Sequence, residues 1–240
     1  MLIGRNMPKR KKIFDVLSKE EQKYKKKIEE SYAQEIINYK ECFESLDNLM
    51  WEIADAKAER KEDFNFSDVT IFAVCCRILG TSKVFIDLQI KGYKYDANII
   101  MRSLLESALL LEWLIKDEKN AGKGLDGHTK FKTIRRELGN PSVYSSRAYD
   151  SFSDYVHSNF KSLIDLFKLN KKENAEEGMV KCITEFTIEP DVERGIAMDE
   201  SSLFPSIGIS ALNSLKKKYA MLLKPEINSK IDDMFKKLNK

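Results

Sequence analysis

The sequence predicts an all-α protein, a bundle of about six to seven helices led by a long N-terminal helix. Three observations carry this. No proline or glycine falls between Lys9 and Leu79, so nothing in that stretch breaks a helix. Apolar side chains recur at alternating steps of three and four, as in Ile36, Tyr39, Phe43, Leu46, Met50 and Ile53, which is the spacing of one helix face. Two strongly apolar stretches, 67–91 and 96–116, are separated only by "GYKY", the pattern of an antiparallel αα-hairpin. Composition agrees. With 42% hydrophobic residues the chain can build a core, and 33% charged residues of both signs favour long solvated helices over disorder. One segment departs from the helical period. "VKCITEFTI" alternates Val180, Cys182, Thr184, Phe186 and Ile188, which allows a small β-hairpin near 180–198.

The chain divides into a basic segment with the long amphipathic helix, 1–62, and a bundle core, 63–240, and is read as one domain with that helix packed on it. Ser18 and Glu21 fit a capping box, so the helix is expected from there to about Arg60, with room for a break and with the charged stretch 20–35 projecting. Asp63 or Ser67 is expected to cap helix 67–91. Gly80 lies inside that helix and costs about 1 kcal/mol relative to alanine unless close packing needs the missing side chain. Gly92 is placed to stop it in a left-handed conformation, and Asp96 to start the next helix. Residues 117–146 read as surface, with the glycine-rich "KNAGKGLDGH", a short basic helix near 129–138 and then "GNPS". A further helix is expected at 146–169, with Tyr149, Phe152, Val156, Phe160, Leu163, Ile164 and Phe167 on one face. Helices near 203–223 and 225–238 close the chain, Pro225 suiting a first turn.

Several function classes lose support. A net charge of +3 does not by itself imply nucleic acid, and the basic runs "PKRKK" and "KYKKK" read first as a solvated lysine face. The four cysteines form no C-x-x-C pair, and adjacent Cys75 and Cys76 point about 100° apart on a helix. They read as buried free thiols of a reducing cytoplasm. "MLIGRNMPKRKK" lacks the apolar stretch of a secretory signal. The run 99–115 is short for a membrane span and holds Arg102, Glu106 and Glu112. A soluble, cytoplasmic protein without a membrane contact is expected. "GKGLDGHTK" is not a phosphate loop, and neither a cofactor nor a metal is implied.

One polar site stands out. Arg102 and Glu106 are one turn apart in a helix that is apolar almost all round. Burying a charge costs several kcal/mol unless it is paired and hydrogen-bonded. An intrahelical pair returns only about 0.3–0.5 kcal/mol, and arginine before glutamate is the weaker orientation. Partners from other helices are therefore expected. The best candidates are Ser153 and His157 in "RAYDSFSDYVHSNF", with Asp150 and Asp154 on the polar side of the same helix. A serine–histidine–aspartate triad on one helix has no strained elbow or oxyanion donors to support it. General acid–base work by His157, with Arg102 neutralising an anion and Glu106 orienting one of them, is geometrically consistent. The competing reading is a structural salt bridge that fixes helix register, with His157 bonded to a neighbouring helix. His128, in the glycine-rich loop, reads as simply exposed.

The series Gly92, Asp96, Ala97, Arg102, Ser103, Leu104, Glu106, followed by Tyr149, Phe152, Ser153, Val156 and His157, resembles a bacterial all-helical family of unknown function. The likeness covers roughly residues 65–170. It implies that Arg102, Glu106, Ser153 and His157 belong together, without implying an activity. A more distant similarity is to the HEPN ribonuclease-type bundles of toxin and phage-defence systems, which place a histidine a few residues after an arginine and complete the site across a dimer. Here nine residues separate Arg147 from His157, so that signature is absent and Arg102 or Arg77 would have to substitute. Two functions are thus expected to compete. One is action on RNA or a nucleotide in a defence or toxin setting. The other is a non-enzymatic interaction protein, a homo-oligomer or a binder of a protein partner through its N-terminal helix.

Overall fold

A computed structural model describes residues 12–125, 130–139 and 203–238. These form eight helices and no strand. They are α1 (Ile13–Ser31), α2 (Ala33–Glu59), α3 (Phe66–Lys91), α4 (Lys94–Lys116), α5 (Lys119–Leu125), α6 (Phe131–Leu138), α7 (Leu203–Lys218) and α8 (Pro225–Leu238). The all-α expectation holds for them. The expected helix 146–169 and hairpin 180–198 lie outside the described residues, and so do His128, Ser153 and His157.

The long N-terminal helix is two helices, broken at Tyr32 (φ −134°, ψ 28°). Ser18 and Glu21 do not form a cap, because α1 already begins at Ile13 and both lie inside it. Glu21 instead reaches across the bundle. Its carboxylate accepts from the Tyr93 hydroxyl at 3.2 Å and pairs with Lys91 at 3.2 Å. The charged stretch does not project either. Tyr24 and Ile28, one turn apart, are buried, so α1 lies on α3 with its lysines outward.

The cap of α3 is Asn65 rather than Asp63 or Ser67. Its side chain accepts from the Asp68 backbone N–H at 2.9 Å, and its own N–H donates to the Asp68 carboxylate at 3.2 Å. Gly92 ends α3 at φ 85°, as its sequence position predicts. α4 begins two residues before Asp96, without a side-chain cap. In part of the stretch expected to be loop, α5 forms instead. Asp117 accepts from the Lys119 N–H at 3.0 Å, and the buried Asn120 amide donates to the Trp113 carbonyl at 2.8 Å.

The α3–α4 hairpin makes the most extensive contact, and α7 crosses both α4 and α2. Phe204 of α7 sits at the junction. Its ring stacks on Phe85 at 4.5 Å and meets Phe43 at 5.0 Å and Tyr39 edge-on at 5.4 Å. One turn on, a Cβ added at Gly208 would lie 2.6 Å from Cys42 Sγ, so α7 approaches α2 closely because that residue has no side chain. α4 is buried on nearly every side, with Leu104, Leu105, Leu109, Leu111 and Trp113 at 0% exposure, which makes it the central helix. Among the described residues only α3 is long and apolar enough to cross a membrane, and it packs on α1, α2 and α4. Its Val84 is 45% exposed.

Candidate functional site

The α4 pair forms as its spacing implies. Arg102 Nε donates to Glu106 Oε1 at 3.1 Å. The side chains are 21% and 24% exposed, so the expectation of a buried polar site is corrected to one at the margin of the core. The stems cover apolar surface while the heads reach outward, as long charged side chains allow. Further along the same side of α4, Leu109 and Trp113 are fully buried. The Trp113 indole N–H donates to Glu137 Oε2 on α6 at 2.7 Å, so α6 meets the second half of this strip. Beside Arg102, Ser103 Oγ accepts from the Arg77 guanidinium of α3 at 3.1 Å. With Ser153 and His157 outside the described residues, the structure brings together Arg102 and Glu106 of the four predicted site residues. The guanidinium is held on a carboxylate and remains partly exposed.

A second polar cluster went unnoticed in the sequence. Lys57 of α2 pairs with Asp68 of α3 at 3.0 Å, and the Tyr219 hydroxyl, just past α7, donates to Asp68 Oδ1 at 2.7 Å. Lys57 also donates to the Asp63 carbonyl at 3.4 Å and lies 5.4 Å from the centre of the Phe64 ring. The Lys57 and Asp68 side chains are only 10% and 3% exposed. Burial pushes the Asp68 carboxyl up. Hydrogen bonds from Tyr219 and Lys57, the Asn65 backbone contact and the Lys57 charge together pull it below its ordinary value. Burial, and then the Asp68 carboxylate, push the Tyr219 phenol well up. At neutral pH the carboxylate stays charged and the phenol stays protonated, so neither is poised to exchange a proton. The cluster locks α2, α3 and α7 together. Its signal was legible in part, since Lys57 occupies the next position of the apolar stripe after Ile53.

The cysteines divide. Cys42 and Cys75 are buried, and burial raises each thiol to about 12, with Cys76 adding to the shift at Cys75. Cys76 is exposed, which corrects the expectation of a wholly buried set. Between α4 and α7 lies a cleft of about 670 Å³, bordered by Glu112, Lys116, Ser206, Ser210, Asn213 and Lys217. Ser210 Oγ donates to Glu112 Oε1 across it at 2.6 Å. The polar stripe along α7, at steps of three and four, is the sequence signal that could have found this cleft. Among the described residues no cluster of three or more histidine, cysteine, aspartate or glutamate side chains is placed to hold a metal ion. The chain matches no family model, and no curated protein or solved structure gives a significant match.

Proposed function

We propose that the protein is a soluble, cytoplasmic helical interaction protein whose polar clusters fix the register of the bundle. One observation carries this reading. The deepest charged groups of the described residues are bonded to one another, while α3 leaves Phe66, Val69 and Val84 at 49%, 54% and 45% exposure. A helix that leaves several apolar side chains at the surface of its bundle is suited to meeting another surface. The N-terminal helix was the first expected contact. Its inner face is engaged within the chain through Tyr24, Ile28 and Glu21, which leaves its lysine-rich outer face for a partner. Deleting residues 1–35 would therefore uncover core as well as remove that face. The test is incubation of the whole protein with single-stranded RNA and with nucleoside triphosphates. No breakdown above the buffer control is expected. Breakdown that disappears in both Arg102→Ala and His157→Ala would sink the interaction reading.

That outcome would instead support a second reading, action on RNA or a nucleotide in a defence or toxin setting. The partial exposure of the Arg102–Glu106 pair favours it. Arg102 would face phosphate, His157 would act as acid or base, and Glu106 and Ser153 would orient them.

A further inference from the structure

The exposed side of α3 is a single line of residues. Phe66, Val69, Ala73, Cys76, Gly80 and Val84 follow at steps of three and four, and all are exposed. Beside its second half runs a groove of about 660 Å³ between α2 and α3. The groove has an apolar floor of Phe43, Leu79 and Ile86 and a charged rim. Gly80 lies where the line and the groove meet, and nothing among the described residues explains it. Its backbone is not in the left-handed region. A Cβ built there would meet no atom within 4 Å. A glycine inside a helix is a penalty unless something must come close to the backbone. At Gly208 that something is Cys42 of the same chain, whereas at Gly80 no described residue comes close.

The charges favour one visitor. On the α2 wall of the groove, Glu44 and Asp47 have no ion-pair partner among the described residues, and the exposed Lys40 lies one turn before Glu44. On the α3 wall, Lys83 is 77% exposed and held only by its own-helix neighbour Asp87 at 2.8 Å, a surface pair that is readily exchanged. The groove thus holds both two carboxylates outside any described ion pair and a cation able to join them. A two-fold arrangement satisfies each with the other. A parallel crossing would set Lys83 against the same residue of its copy. An antiparallel crossing centred on Gly80 carries each Lys83 toward the other chain's Glu44 and Asp47. Arg77 stays clear, because Ser103 of α4 holds its guanidinium on the opposite edge of the line. An anionic membrane fits less well, since Glu44 and Asp47 would face its headgroups.

We propose that a second copy of this chain docks on this face, its α3 crossing antiparallel over Gly80 and its Lys83 reaching Glu44 and Asp47. The inference rests on the reading of the chain as an interaction protein and names the partner. Two crossed helices and their flanks make a small contact beside the roughly 1,600 Å² of a standard interface, so a weak dimer is expected.

Sedimentation equilibrium of the full chain, from about 10 to about 300 μM, reads it directly. The average mass should climb from 27.8 kDa toward twice that value. Gly80→Leu should weaken association by at least about tenfold, since its side chain fills the crossing point. The fold should survive, because the monomer has room there and leucine is the better helix former. Lys83→Glu should weaken association too, and adding Asp47→Lys should restore it. A mass fixed at the monomer value across this range overturns the proposal, and so does a dimer indifferent to Gly80→Leu. Flotation of a monomeric protein with anionic vesicles would assign the face to a membrane and overturn it as well. None of these results requires RNA breakdown, so they stand apart from the outcome that would sink the interaction reading itself.

Discussion

Two ion pairs in this bundle share chemistry and differ in almost everything else. Arg102 and Glu106 are one turn apart on one helix, and about a quarter of each side chain meets solvent. Lys57 and Asp68 come from different helices, are nearly sealed, and share their carboxylate with Tyr219, which lies 151 residues further along the chain. The first pair spans one turn of α4 at the margin of the core. The second joins three elements, and the interior makes each member depend on the others. A polar group's value to this fold follows how deeply it is enclosed, not how prominent it looks in the sequence.

The contrast can be broken most sharply at Asp68. Asp68→Ala leaves a buried ammonium and a buried phenol without their acceptor, and should cost about 3–5 kcal/mol in urea unfolding. The same variant should change the acid response. The folded carboxyl titrates below its ordinary value, so its stabilisation is complete above the unfolded value of about 4 and is lost as pH falls through the lower folded one. Unfolding midpoints between about pH 5 and about pH 2 should therefore fall less steeply in Asp68→Ala than in the parent.

A smaller effect probes the same junction by packing alone. Gly208→Ala drives a methyl group into Cys42, which has 0% exposure and nowhere to move. The loss should be about 1–3 kcal/mol despite alanine's better helix propensity, measured as a lower denaturation midpoint with an unchanged slope. The smallest effect is expected at the other pair. Arg102→Ala should lower stability by less than Asp68→Ala does, since the Arg102 side chain is 21% exposed and that of Asp68 only 3%. A loss as large as that of Asp68→Ala would erase the distinction between the two regions.

This difference also explains what could be read in advance. The spacing of Ile36, Tyr39, Phe43, Leu46, Met50 and Ile53, the short "GYKY" connection and the stop at Gly92 are local patterns, and the helices they imply are present. Helix starts were harder, because Ser18 with Glu21 and Asn65 with Asp68 are equally acceptable signals. Only the packing of Leu17, Tyr24 and Ile28 decides that α1 begins earlier. Of the candidate site, the Arg102–Glu106 contact was visible as a one-turn spacing, but its exposure was not, since that depends on what the neighbouring helices cover. Lys57 in an apolar stripe was a visible oddity, yet nothing local pointed to Tyr219 as part of its cluster.

The two tryptophans fall on opposite sides of this divide. Trp113 is fully enclosed and holds Glu137, while Trp51 on α2 is 65% exposed. Emission from the chain is therefore a sum of a short-wavelength component sheltered from acrylamide and a long-wavelength component open to it. With Trp51→Phe the remaining fluorophore reports on the seam between α4 and α6 alone, so loosening of that seam can be followed without any added label.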